Sequence, residues 1–259
     1  MDNQPTVRPV RIRLVLPALI LGLCLVAGTA VVAQTFYKVK ALNNSLSVTG
    51  SVDKLIKSDS VKWHGHFFRN AAVDGLTAGS QLIKKDLADI TDFLKANGIT
   101  EAQITISPLT VTPTCGGNQN YYSDGKTCGP NPIIGYNLDQ SVTVESGDVD
   151  GVTKAAQAAT NVLLEKGVIF SSDPLEYYYT KLADLRLDML AEATKNAKDR
   201  AERIVGSTGG RLGPVLSASM GVFQVSAVNS MEVSDYGNYD TTTIQKKVTA
   251  VVRVSFGLP

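Results

Sequence analysis

The chain carries two histidines, His64 and His66, with one residue between them. In an extended strand, side chains two apart share a face, so the pair could offer two imidazole ligands to a metal ion. No third ligand is evident in the sequence, and a two-imidazole site is weak and open. Half-exposed strand residues beside Trp63 are the simpler reading of His64 and His66, so neither a metal nor a cofactor is expected. Cys115 and Cys128 bracket an insertion rich in Gly, Asn and Tyr. Free thiols or half a metal site are possible readings of that pair. No second Cys pair or nearby His completes a tetrahedral zinc site, which favours a disulfide. Closing a loop of that size contributes about 3 kcal/mol, mainly by restricting the unfolded chain. Glu176, Tyr177, Tyr178 and Tyr179 form an aromatic cluster able to meet a sugar or another chain. Strand alternation would split the tyrosines between core and sheet surface.

Other chemistry is hard to assemble. Nothing matches a nucleophile elbow or Ser-x-x-Lys with its partners. Gly116-Gly117 and Gly209-Gly210 stand alone, without the spacing that cradles a phosphate. No catalytic residue is named on these grounds. At 44% hydrophobic and 19% charged the composition is that of a globular protein. A net charge of +1, with no basic run after residue 40, gives no case for nucleic acid.

The elements that position these residues begin with Leu14–Ala33, twenty residues without a charge. About twenty apolar residues in a helix span the ~30 Å hydrocarbon core. Arg8, Arg11 and Arg13 precede the segment, so the positive-inside rule keeps the N-terminus in the cytoplasm and sends the rest out. The chain divides into a cytoplasmic tail (1–13), a transmembrane anchor or signal segment (14–36) and an exported domain (44–259). Two readings fit the middle segment. Val31-Val32-Ala33 could end a signal peptide, whereas the full spanning length, followed by Phe36 and Tyr37 at the interface, fits an uncleaved anchor. Export follows from both.

Beyond it, alternation marks a short strand over 43–52 and a better one over 58–70, with Val61, Trp63, Gly65 and Phe67 on one face. Leu76, Ile83, Leu87, Ile90 and Leu94 make one helical stripe, with Asp74 placed to cap its start and Asn97-Gly98 to stop it. Strands follow over 103–112 and 133–145, then a helix over 148–166 ended by Gly167, then a strand over 168–170 resuming at 175–179. A long helix runs from Leu182 to about Gly206 on a stripe of Leu182, Leu185, Met189, Ala193, Ala197, Ala201 and Ile204. Strands over 215–227 and 247–256 close the chain. The fold class expected is α+β. It is a ferredoxin-like βαβ-βαβ antiparallel sheet, extended by a long helix and two further strands and preceded by an N-terminal membrane helix.

Several stretches, in this order, resemble the SIMPL domain family. They are Leu46-Ser47-Val48-Thr49-Gly50, then Leu94-Lys95-Ala96-Asn97-Gly98-Ile99, then Ile104-Thr105-Ile106-Ser107-Pro108-Leu109. The Ala-rich run Ala191–Ile204 follows, then Gly209–Val215 and the closing strand Val248–Phe256. The resemblance covers residues 44–258. It implies an exported bacterial protein, periplasmic or anchored outside the membrane, in a family without an agreed activity, and it transfers no catalytic residue. The expectation is a non-enzymatic envelope protein that acts through self-assembly or a protein partner. It would be held to the inner membrane by its N-terminal helix, or released to the periplasm after cleavage, with a role in envelope maintenance or stress response. A small-molecule or metal-binding module built on His64, His66 and the tyrosines is the alternative, and a hydrolase the weakest.

Overall fold

The computed structural model describes residues 12–42, 44–117, 128–129, 131–230, 234 and 236–258. Most of the expected cytoplasmic tail, including Arg8 and Arg11, and the middle of the Cys insertion lie outside the described residues. The helices are α1 (Ile12–Leu42), α2 (Leu76–Ala96), α3 (Val149–Glu165) and α4 (Leu182–Ser207). The strands are β1 (Ser45–Lys57), β2 (Ser60–Ala71), β3 (Ile104–Ile106), β4 (Thr110–Cys115), β5 (Ile133–Ser146), β6 (Phe170–Ser172), β7 (Glu176–Tyr178), β8 (Val215–Met220), β9 (Gln224–Ala227) and β10 (Gln245–Gly257). In α1, the stretch Leu19–Phe36 is long and apolar enough to cross a membrane, and none of it is buried.

The fold is α+β, as the alternation of periods required. One sheet has the order β3-β5-β2-β6, with β4 also on β5 and β7 also on β2, every pairing antiparallel. Its outer strands are broken where proline cannot donate to a ladder. Pro108 separates β3 from β4, and Asp173-Pro174 separates β6 from β7. The two further strands do not extend this sheet. They form a second one, of order β1-β10-β8 with β9 also on β10, and the expected strand over 215–227 is split into β8 and β9. The chain resolves into two compact units, and β1, α4 and β10 contribute residues to both.

In the larger unit (Val52–Glu192 and Gly221–Val251), α2 and α3 cover one face of β2 and β5. That face buries Val61, Trp63, Phe67, Leu138, Val142 and Val144. The helices meet it with Ile83, Ile90 and Leu94 from α2 and Val152, Ala159 and Leu163 from α3. Burying one such side chain is worth roughly 1.5–3 kcal/mol. Gly65 leaves room for the Phe170 ring, which sits edge-on to Trp63 with centroids 5.9 Å apart. A second cluster, Leu185, Met189, Val225, Val248 and Ala250, fills the space under the start of α4.

Helix ends follow local chemistry. The Asp148 carboxylate accepts the Gly151 N–H at 2.9 Å to cap α3, and Gly167 ends it at φ +79. At α2 the expected Asp74 cap does not form. Gly75, which has no side chain to cap with, takes the cap position, in a turn closed by its N–H on the Ala72 carbonyl at 2.9 Å. The exit is as expected, with Gly98 at φ +83.

The smaller unit holds α1, the start of β1, α4 from Ala193, β8 and β10 from Val252. Ala193, Ala197 and Ala201 are fully buried, and Val205 ends the stripe because Ile204 turns outward. A Cβ on Gly50 would run into the Ala193 carbonyl and the Ala197 methyl, so these small residues set how closely helix and strand approach. Polar bonds fix the register. The Ser51 N–H donates to Asn196 at 3.3 Å, and Arg200 donates to the Thr49 carbonyl at 3.0 Å.

One buried charge holds the larger unit together. Arg69 clasps Asp86 with two bonds of 2.6 and 2.8 Å and donates to the Gly167 carbonyl at 2.6 Å. That ties β2 to α2 and to the end of α3. Its partner's carboxylate holds the Arg69 guanidinium above its ordinary pKa. Removing Arg69 strands the buried Asp86 carboxylate. Arg69→Ala is expected to cost about 3 kcal/mol in chemical denaturation, whereas Arg69→Met with Asp86→Leu regains most of that loss.

Candidate functional site

Of the residues singled out for chemistry, His64, His66 and Tyr178 lie on the uncovered face of the six-stranded sheet. Alternation places Lys62, His64, His66 and Phe68 of β2 there, opposite Glu145, Thr143, Ser141 and Asp139 of β5 in register. His64 and His66 share this face, as their spacing required. Each is taken up by a different neighbour. His64 Nδ1 lies 2.9 Å from the Thr143 hydroxyl, and His66 Nε2 lies 3.0 Å from Asp173. Among the described residues, no group of three or more His, Cys, Asp or Glu side chains is gathered to hold a metal ion. The two rings belong to two local polar pairs, not to one convergent site.

The tyrosines divide as alternation demands. Tyr177 is buried on the helix side, its hydroxyl 3.1 Å from that of Thr153. Tyr178 lies on the open face and donates to Glu176 at 2.6 Å, and that carboxylate pushes its hydroxyl up to about 12. Its ring stacks on Tyr239, centroids 6.3 Å apart, and the Tyr239 hydroxyl accepts the Tyr179 N–H at 3.3 Å. Lys62 pairs with Glu145 at 2.9 Å. The polar pairs on this face are thus Lys62 with Glu145, His64 with Thr143, His66 with Asp173 and Tyr178 with Glu176. Surface pairs of this kind contribute about 0–1 kcal/mol each; their effect is to fix side-chain directions.

Thr143 and His64 set a hydroxyl against an imidazole. Nucleophilic activation also needs a group that orients the base, and among the described residues no carboxylate bonds the second His64 nitrogen. A separate polar cleft of about 350 Å³ is lined by Lys54, Lys57, Tyr179, Lys181, Asp184 and Asp188. Lys57 is already held by Asp150 at 2.8 Å. None of the singled-out histidines or cysteines reaches that cleft.

Cys115 and Cys128 form a disulfide, with Cα atoms 5.4 Å apart across 13 residues of sequence. It closes the insertion at the end of the β4–β5 pair, where Gly116 N–H donates to Pro132 O at 2.8 Å. Cys24 is a free, exposed thiol on α1.

Sequence reasoning missed a buried lysine. Lys246 has no exposed surface, and its ammonium donates to the carbonyls of Asp240 at 2.6 Å and Thr243 at 2.5 Å, with Asp240 Oδ2 at 3.4 Å. Burial lowers its pKa, and Asp240 opposes that fall. The signal was present: Lys246 has the inward parity of Val248, Ala250 and Val252 on β10. The knot orders the segment before β10, whose residue Asp240 donates its N–H to Val225 O at 2.9 Å. Tyr239, which meets Tyr178, precedes Asp240 directly.

The SIMPL family model, described as a protein of unknown function (DUF541), matches residues 46–256. Comparison with curated proteins finds no match.

The Asp240 knot has a pH signature. Burial alone would raise its carboxyl, but hydrogen bonds from Thr243 and Thr242, together with the charge of Lys246, bring it down to about 2 from 3.8. A carboxyl depressed on folding stabilises above its unfolded value and loses that contribution as pH falls through its folded value. Asp240→Asn is expected to be less stable than wild type at neutral pH. In denaturant melts the gap should close between about pH 4 and pH 2; a gap independent of pH would show that the charge is immaterial.

Proposed function

The chain belongs to the SIMPL family, and on that premise we propose a non-enzymatic envelope protein acting by self-assembly or partner binding outside the cytoplasmic membrane. The observation that carries this reading is the pairing of a membrane-length apolar helix, Leu19–Phe36, with a disulfide in the domain that follows. Disulfides persist in oxidising compartments outside the cytosol. The helix gives a single-pass anchor in the inner membrane, and the domain from residue 44 lies on the periplasmic side. Phe36, exposed at the end of the apolar stretch, suits an interfacial position. Assembly is supported by two open sheets, whose outer strands carry backbone groups able to pair with another chain. Maintenance of the envelope under stress is the physiological role that fits such a scaffold.

The full chain, extracted from membranes in mild detergent, tests both parts. Light scattering corrected for detergent is expected to give a protein mass at least twice 27.6 kDa, or a stoichiometric envelope partner. A monomer that retains no partner would overturn the assembly reading. The mass of the denatured chain should be that of the uncleaved protein; a mature N-terminus at Gln34 would replace the anchor with a released periplasmic form.

A further inference from the structure

We propose that β8 is the contact strand through which two copies of this chain pair, edge to edge and antiparallel, within the smaller unit. The proposal rests on the self-assembly reading and names the surface that performs it. Three observations converge on Val215–Met220. First, β8 closes the order β1-β10-β8, and among the described residues no strand pairs with its far side. Second, the segment Val215-Leu216-Ser217-Ala218-Ser219-Met220 has no charge and no proline, the devices by which natural edges repel a neighbouring strand. Third, the covered layer stops short of it. Val252, Val254 and Phe256 of β10 are almost wholly buried. Their partners in register, Met220, Ala218 and Val215, are exposed, Met220 at 64% and Val215 at 57%.

A second copy is the occupant this edge fits. Two identical strands related by a two-fold axis are self-complementary, and a register that keeps residue parity sets Ala218 and Met220 of one chain beside the same row of the other. A neutral strand brings no repulsion to that axis. The nearest charge on the neighbouring strand, Arg253 opposite Ser219, would face its copy across three strand spacings. That is about 14 Å, beyond the ~8–10 Å over which exposed charges act at ordinary ionic strength. Six residues a side bury far less than the ~1,200 Å² of a stable interface. The strand pair is therefore one part of the contact, and tethering of the chains at one surface adds to it by raising their effective concentration.

The test uses the full chain in its membranes, with Cys24→Ser removing the free thiol and one cysteine introduced at Ser217, Ala218 or Ser219. A short bis-maleimide joins thiols that lie close together, and Val111→Cys on the exposed edge strand β4 serves as the control. Covalent dimers are expected from the β8 positions and not from Val111→Cys. Adding Ala218→Lys to Ser219→Cys should reduce the dimer several-fold by opposing two like charges, with the melting temperature unchanged. Dimers from Val111→Cys alone would leave self-assembly standing and overturn the β8 assignment. A yield unaffected by Ala218→Lys would overturn it as well. No dimer at any position, with a monomeric mass in detergent, would remove both this proposal and the reading beneath it.

Discussion

Eleven residues of β2 stand opposite eleven of β5, from Val61 against Ser146 to Ala71 against Tyr136, and this one register decides what each face of the sheet carries. A slip of one residue would exchange the faces. It would put Trp63 and Phe67 into water and drive Lys62, His64 and His66 under the helices. The apolar row fixes where α2 and α3 settle, and Arg69, on the same inward row, meets the carboxylate of Asp86. The polar row on the other side is left as an ordered, uncovered surface. The separation of the two histidines onto different partners follows from the same register, since His64 falls beside Thr143 and His66 beyond it.

Much of this was legible in the residues. Strict alternation in β2 and the heptad-like spacing in α2 each matched one period, and Asp148, Gly98 and Gly167 marked helix ends by their own chemistry. The disulfide was legible because two cysteines flanked one insertion. Asp86 and Lys246 were not, although each sits at an inward position of its pattern, because a charge in an apolar row is interpretable only with its partner. Arg69 and Asp240 supply those partners from other elements. The division into two sheets was equally hidden. Strand signals carry no information on which edge they join, so the strands over 215–227 and 247–256 read as extensions of the first sheet. The Asp74 cap failed for a local reason, a turn that spends the preceding backbone on itself.

The open face and the β8 edge present different chemistry. On the open face, Lys62, His66 and Tyr178 are each committed to a carboxylate nearby, which fixes the surface without leaving a convergent site. On β8 no side chain is charged, and among the described residues no strand pairs with one side of its backbone.

The central claim, a domain outside the cytoplasm that assembles with its own kind or a partner, is tested most directly by crosslinking from the outside. Right-side-out vesicles of cytoplasmic membrane would be treated with a membrane-impermeant amine crosslinker, which meets exposed lysines such as Lys84 and Lys85. Bands at multiples of 27.6 kDa, or one discrete heavier complex, are expected. A single band at the monomer mass, with those lysines modified, would contradict assembly; lysines left unmodified until the vesicles are opened would contradict export.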